Sequence, residues 1–435
     1  MRKSVILATI GILLVSTFLW AAGGRQSVPA SASGEISGTV TFWQDINDMA
    51  ADIPTVWWWR DNYRLFQEKY PNVRLEVTNT PGGGINYLTK ITTELAAGNA
   101  PDVFKTWLTG RLQPFVDAGR VQALNGFLDA RPELKRSINP EALKLATFGD
   151  KFYAIPNQKS GELLYYNKKM FADHGIQIPK TYDEFLSICA RFNAAGIVPI
   201  GMGGAQIWPV SMPYMVLFGR MHGPTLYEEV ILGQKAKFDD PAFAETGAKL
   251  QEMIRANVFN TNVNATDMEE CRAGFSTGRY PMLFDGVWNL GRYIQALGED
   301  VGFFDFPPIP GGRGNVNDQL VNWDEGYAIS VGARNQAAAE AFIEFIYSKE
   351  RQTELANYGF LITTFNPPTN TDLPRVMVEV SNTIDNSTYN YIPWDNPLGA
   401  GMGNNFNQAV QRLYVMEDPV RVFQDLNRLA RFEWE

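Results

Sequence analysis

A chain of 435 residues is long enough for two or three domains with sizeable cores. With 45% hydrophobic and 20% charged residues it is globular and not disordered. A formal net charge of -9, with no basic run anywhere, argues against a nucleic-acid partner, and two cysteines cannot make a disulfide framework.

Arg2 and Lys3 precede an apolar-to-small run, Val5 to Trp20, followed by Ala21, Ala22, Gly23 and Gly24. This is the pattern of a secretory signal, and the run is short for a spanning helix, which needs about 20 residues. Residues 1–23 are therefore expected to be a signal peptide, and residues 24–38, rich in Ser, Ala, Gly and Pro, a linker. No cysteine precedes Cys189 to carry a lipid, so a free, periplasmic protein is expected.

Val40 and Phe42 alternate with Thr39, Thr41 and Trp43 as a strand. Trp59, Tyr63, Phe66 and Tyr70 then recur at helical spacing up to Pro71, and Val73, Leu75 and Val77 alternate again. This β-α-β unit predicts a parallel sheet with a right-handed crossover. Leu88, Ile91 and Leu95 mark a helix closed by Gly98; Ala100 to Phe104 reads as turn and strand, before a helix around Phe115.

The stretch from Gly149 to Phe185 organises the rest. A strand pattern stopping at Pro156 leads through a polar joint into a second apolar run, Leu163 to Tyr166. Asn167 breaks that run, Lys168 to His174 reads as a short helix closed by Gly175, and Thr181 with Glu184 makes a capping box for the next helix. On that helix Cys189 shares a face with Phe185, Ile188 and Phe192, which predicts a buried thiol; a bridge to Cys271 stays open in an oxidising compartment. Beyond it helices alternate with short apolar runs to the C-terminus. Two α/β lobes, each with a mostly parallel sheet, are the expected architecture.

Catalytic signals fail on context. Gly274-Phe275-Ser276-Thr277-Gly278 satisfies G-x-S-x-G, but that elbow requires a strand turning into a helix with a histidine following, and here the order is helix then strand, with His174 and His222 both upstream. Both histidines read as structural, no metal-ligand spacing is present, and no cofactor is expected. Asp45 with Asp48, Asp285, and Asp324 with Glu325 could flank a glycosidic bond, which keeps a secreted glycan-active enzyme as the alternative.

The tryptophans say more, because an indole offers a flat apolar face and one N–H donor. Trp43, Trp57, Trp58, Trp107, Trp208, Trp288, Trp323 and Trp394 read as strand ends or loops, whereas Trp59 is in phase with a helix core. Loops at the carboxyl ends of parallel strands line the crevice of an open α/β sheet.

Gly-x-x-x-Tyr-x-x-Pro from Gly149 to Pro156, Leu164-Tyr165-Tyr166-Asn167-Lys168, and Pro179-x-Thr181-x-x-Glu184-Phe185 together resemble the extracellular solute-binding proteins of ABC importers, the sugar-carrying family 1 that includes maltodextrin-binding proteins. The resemblance implies a two-lobed periplasmic binding protein of type II, with hinge strands near Ile155 to Gly161, Asn322 to Tyr327 and Thr364 to Asp372. It implies lobes of 39–156 plus 328–368 and of 157–327 plus 369–435. It implies a carbohydrate ligand, ABC permease subunits as partners, a monomer, and no enzyme activity. By the same resemblance Trp107 with Arg111, Asp285 with Trp288, Trp43 with Gln44 and Asp45, and Trp323 with Asp324 and Glu325 are the expected ligand contacts, with Asp102 structural. Trp394 with Asp395 is a looser match, and Trp208 is added from its loop position alone.

Overall fold

Two sheets of different construction organise the chain. The computed structural model describes residues 35–46, 48–81, 84–323, 325–361 and 373–435. Its strands are, in chain order, β1 (Gly38–Gln44), β2 (Val73–Asn79), β3 (Val103–Trp107), β4 (Thr147–Phe148), β5 (Lys151–Phe152), β6 (Ile155–Pro156), β7 (Ser160–Asn167), β8 (Ile200–Gly201), β9 (Met282–Gly286), β10 (Val301–Phe304), β11 (Gln319–Asn322), β12 (Glu325–Ile329) and β13 (Asn390–Tyr391). The first sheet has the order β2-β1-β3-β12-β6; the second runs β13-β11-β7-β9-β8, with β10 also on β7.

The expected β-α-β unit is present. β1 and β2 pair in parallel from Gly38↔Val73 to Gln44↔Asn79, and the helix Pro54–Lys69 crosses between them. Proline at the first helical turn fixes the entry of that helix, and Val56, Trp58, Trp59 and Phe66 form its buried face. Each such side chain, fully buried, contributes about 1.5–3 kcal/mol. Trp57 and Trp58 therefore lie inside a helix and not at a strand end: Trp58 is buried and donates to the Arg351 carbonyl at 3.1 Å, while Trp57 donates to Asp52 at 2.8 Å.

The first sheet is parallel except for β12, which is antiparallel to both β3 and β6. The second departs from the mostly parallel expectation, because β7 is antiparallel to β9, β10 and β11, and only β8–β9 and β11–β13 are parallel. The physical reason is that β7 runs into the second sheet from β6 of the first, whereas β11 runs out of it toward β12 of the first, so these two paired strands point in opposite directions.

The connecting stretch follows the sequence closely. Asn167 caps the helix Lys168–Asp173 by accepting from the Met170 N–H at 3.0 Å, and Gly175 follows at φ 60°. Thr181 Oγ1 accepts from the Glu184 N–H at 3.2 Å, but Glu184 returns its carboxylate to the Lys180 N–H at 2.6 Å, one residue before the expected partner.

Cores form on each sheet. Val40, Phe42, Trp58, Phe66, Tyr327 and Phe342 pack in one, Tyr87, Phe104, Trp107 and Leu112 on the sheet's other face, and a larger one surrounds the second sheet from Leu163 to Ala430. The chain crosses between sheets at 157–159 and again between β11 and β12, so the expected limit between residues 327 and 328 falls inside β12, where Glu325 and Gly326 already pair Trp107 and Thr106. Ile36 packs on the first core, so the linker ends before residue 38. The signal peptide and the third expected hinge, Thr364 to Asp372, lie outside the described residues. No described helix is long and apolar enough to cross a membrane.

Candidate functional site

β1 has β2 on one side and β3 on the other, so the chain reverses direction across the sheet between β1 and β3. In open α/β sheets the crevice beyond the carboxyl ends of strands at such a switch point is where ligands bind. The two strands pair only through Phe42↔Val103 and Trp43↔Phe104; beyond that the Tyr87 hydroxyl bridges them, donating to the carbonyls of Lys105 at 2.7 Å and Trp43 at 3.0 Å.

At this mouth Lys105 Nζ lies 2.8 Å and 2.9 Å from the two oxygens of Asp45 and 2.8 Å from Glu325 Oε1. Burial alone would lower the lysine's pKa, but Asp45 and Glu325 outweigh it and raise it, so the ammonium stays charged. Two cations approach the Trp107 ring, Lys105 Nζ at 5.3 Å and Arg111 Cζ at 5.1 Å from its centroid. Gly84 leaves room for it: a Cβ there would come within 3.0 Å of the indole. Lys105 went unread in the sequence, although a lysine amid the wholly buried strand Val103–Trp107 was a signal.

The second sheet contributes the loops after β8 and β9. Trp208 and Trp288 come together with ring centroids 5.9 Å apart, and the Arg272 guanidinium lies 6.0 Å from the Trp208 ring. Trp288 folds back over Gly286, where a Cβ would meet its ring at 2.2 Å, and also packs on the first sheet's core, so it spans the two halves. Arg272, on the helix Met268–Ser276, gave no sequence signal.

Several expected contacts point elsewhere. Gln44 is buried and donates its amide to the Tyr63 hydroxyl, because it shares the inward face of β1 with Val40 and Phe42. Trp43, on the opposite face, packs under the helix Gly84–Ala97 with Lys90 Nζ 4.4 Å from its ring centroid. Asp285 is 0% exposed: it accepts from Arg272 Nε at 2.9 Å and Nη2 at 2.8 Å, from Asn289 at 2.8 Å and from the Tyr293 hydroxyl. Fully buried among these donors, it orients Arg272 and has no exposed oxygen to offer a sugar hydroxyl. Trp394 is core, 1% exposed among Tyr214, Phe218, Tyr227, Phe243 and Phe406. Trp323 is half-buried at the second crossing, 5.8 Å from Lys159 Nζ, and its indole N–H has no partner among the described residues. Asp324 lies outside the described residues.

Other expectations hold in place. Asp102 is structural, accepting from the Thr41 N–H and hydroxyl at 2.8 Å each and from the Arg334 N–H. Ser276 ends a helix and donates to the Arg272 carbonyl at 2.9 Å, with a strand following, the reverse of a nucleophile elbow.

The family model for bacterial extracellular solute-binding proteins matches residues 30–353. The chain is 26% identical over 371 residues to the diacetylchitobiose binding protein of Streptomyces coelicolor, covering 83% of this chain and 82% of the relative. It is 22% identical over 347 residues to the multiple sugar-binding protein of Streptococcus mutans, covering 78% and 77%. Among solved structures, a chitin oligosaccharide binding protein superposes with a TM-score of 0.81 at 26% identity, covering 91% of this chain and 98% of the other. A maltose-bound protein of T. maritima does so with a TM-score of 0.74 at 18% identity, covering 91% and 99%. A family match over residues 30–353, most of the chain, shows that it belongs to the bacterial extracellular solute-binding proteins, the binding components of ABC importers and not enzymes.

Proposed function

We propose that the protein binds an uncharged oligosaccharide between its lobes and delivers it to the transmembrane subunits of an ABC importer. The observation that carries this reading is the set of indoles beyond the strands of both sheets: Trp107, buried at the end of β3, and the half-buried Trp208 and Trp288 in the loops after β8 and β9. Flat rings suit the C–H faces of pyranoses. Asp45, Lys105 and Glu325 supply polar partners for hydroxyls, which cost about 1–3 kcal/mol each if desolvated unpaired. Trp323, with its unpartnered N–H, and Asp324 are proposed to add to the same wall.

An uncharged ligand fits the electrostatics. Lys105 is matched by Asp45 and Glu325, Arg111 by Asp395, and Arg272 by Asp285 and Glu269, so these cations already have their counter-charges. A uronate or phosphodiester would have to displace one of them.

The lobes are proposed as 39–156 with 325–361, and 157–322 with 373–435, turning about 157–159, 323–324 and the segment between 361 and 373. The ligand shifts the population toward the closed form through its contacts with both lobes. The mature protein is proposed to be a monomer outside the cytoplasm, released by cleavage near Gly23.

Thermal-shift titration tests this. Maltotriose, xylotriose, diacetylchitobiose and raffinose are compared with galacturonic acid and glycerophosphodiesters; a neutral sugar should raise Tm without being consumed. Replacing Trp107 and Trp288 together with Ala should abolish that shift and leave the far-UV CD spectrum unchanged. Stabilisation by the anionic compounds alone, or full affinity in the double variant, would overturn the reading.

A further inference from the structure

Ile207, immediately before Trp208, has φ 68° and ψ -55°, where a β-branched residue is an outlier. It is the centre of a three-residue turn closed by the Trp208 N–H donating to the Gln206 carbonyl at 2.8 Å, the rare, strained form of γ-turn. The other β-branched residue at positive φ among the described residues is Thr109, at φ 54°, two positions after Trp107. A β-branched residue at positive φ thus stands within two positions of an indole on each sheet's side. Such strain persists only where the surroundings over-determine it, and it gathers at functional positions.

Around Ile207 the surroundings do so. Gly204 donates to the Val263 carbonyl at 2.8 Å, Ala205 to Thr266 at 3.1 Å and Ile207 itself to Gly204 at 3.0 Å. The Gln206 side chain donates to Asp267 at 2.6 Å and accepts from the Met268 N–H at 3.0 Å, while Gln411 donates to the Gly204 carbonyl at 2.9 Å. The turn therefore hangs from the start of the helix Met268–Ser276, the same helix that carries Arg272 beside the Trp208 ring.

We propose that Ile207 is a positioning residue: its strained turn fixes the direction of the Trp208 ring against Trp288 and so sets the affinity for carbohydrate. The inference rests on the reading of Trp208 as a wall of the cleft. The hydrogen bonds made by Gly204, Ala205, Gln206 and Ile207 hold the peptide leading into Trp208 in this conformation against its strain. Glycine occupies positive and negative φ about equally and would release both the strain and the ring.

The test uses the full chain and its Ile207→Gly, Ile207→Val and Trp208→Ala variants. Tm is measured, with Kd for whichever of maltotriose, xylotriose, diacetylchitobiose or raffinose stabilises the wild type most. Ile207→Gly should keep Tm within about 2 °C while weakening Kd about fivefold or more; Ile207→Val should match the wild type, and Trp208→Ala should lose binding. An Ile207→Gly variant that binds like the wild type, whatever its Tm, overturns the positioning role if Trp208→Ala fails to bind. If Trp208→Ala itself binds normally, the site reading falls instead. Should none of the four sugars bind, the near-UV CD signal that Trp208 and Trp288 share, identified by its loss in Trp288→Ala, decides: it should shrink in Ile207→Gly, and an unchanged spectrum overturns the proposal.

Discussion

Arg111 and Asp395 join the first sheet's side of the molecule to the second's: Nη2 donates to Oδ2 at 2.8 Å, and Nε donates to the Asp395 carbonyl at 3.3 Å. Gly110 makes the approach possible, since a Cβ there would lie 2.6 Å from the Pro397 carbonyl oxygen. A charged hydrogen bond of this kind contributes about 1.5–3 kcal/mol. Arg111→Ala should therefore move the ligand-free protein toward an open form, seen as a larger radius of gyration in small-angle scattering. An unchanged scattering curve would show that the pair has no part in closure.

The buried pair of Arg272 and Asp285 makes a sharper demand. Asp285→Asn leaves a guanidinium buried beside a neutral amide, and breaking a buried pair from one side costs about 3–5 kcal/mol. Calorimetry should show Tm lower by about 10 °C. A variant as stable as the wild type would mean that Glu269 and solvent alone satisfy Arg272.

Glu269 predicts the acid limb of stability. Burial alone would raise its pKa, but Arg272 and Arg292 outweigh it and hold the carboxyl below the usual range. A group whose folded pKa is depressed contributes fully above its unfolded value, about 4.3, and loses that contribution as pH falls through the folded value. Tm of the wild type should fall below about pH 4.5 more steeply than that of Glu269→Gln, the two curves converging in acid. Parallel curves would exclude Glu269 as the titrating group.

Both cysteines are free and buried. Burial pushes the Cys271 thiol up to about 12, and the Cys189 thiol higher still. Native protein should resist a thiol reagent at pH 8 that labels both sites once urea unfolds it, and a reductant should leave Tm unchanged. Rapid labelling of the native state would place one thiol at the surface.

Much of the architecture could be read because it rests on local patterns. The alternation at Val73, Leu75 and Val77 and the helical spacing of Trp59, Tyr63 and Phe66 set the first β-α-β unit, and Asn167, Gly175 and Thr181 punctuate the stretch after β7 as expected. The side chains at the site were harder, because burial depends on partners far along the chain. Gln44 is the exception: the same period of two that placed Val40 and Phe42 inward already turned it away from Trp43. Trp394 and Asp285 carried no such signal. An indole in a turn is core or cleft according to what packs on it, and Asp285 reads as a free acceptor until Arg272, on another element, arrives. Pro54 was the overlooked sign that Trp57 and Trp58 begin a helix.

The position of β12 has a consequence for biosynthesis. β3 and β6 are neighbours only through it, and its Glu325 pairs with Trp107, 218 positions earlier in the chain. Until that late segment emerges, the amino-terminal third has two unsatisfied strand edges and no central strand to close its sheet, and contacts of such long sequence separation form slowly. The first domain therefore stays incomplete until three-quarters of the molecule has been synthesised.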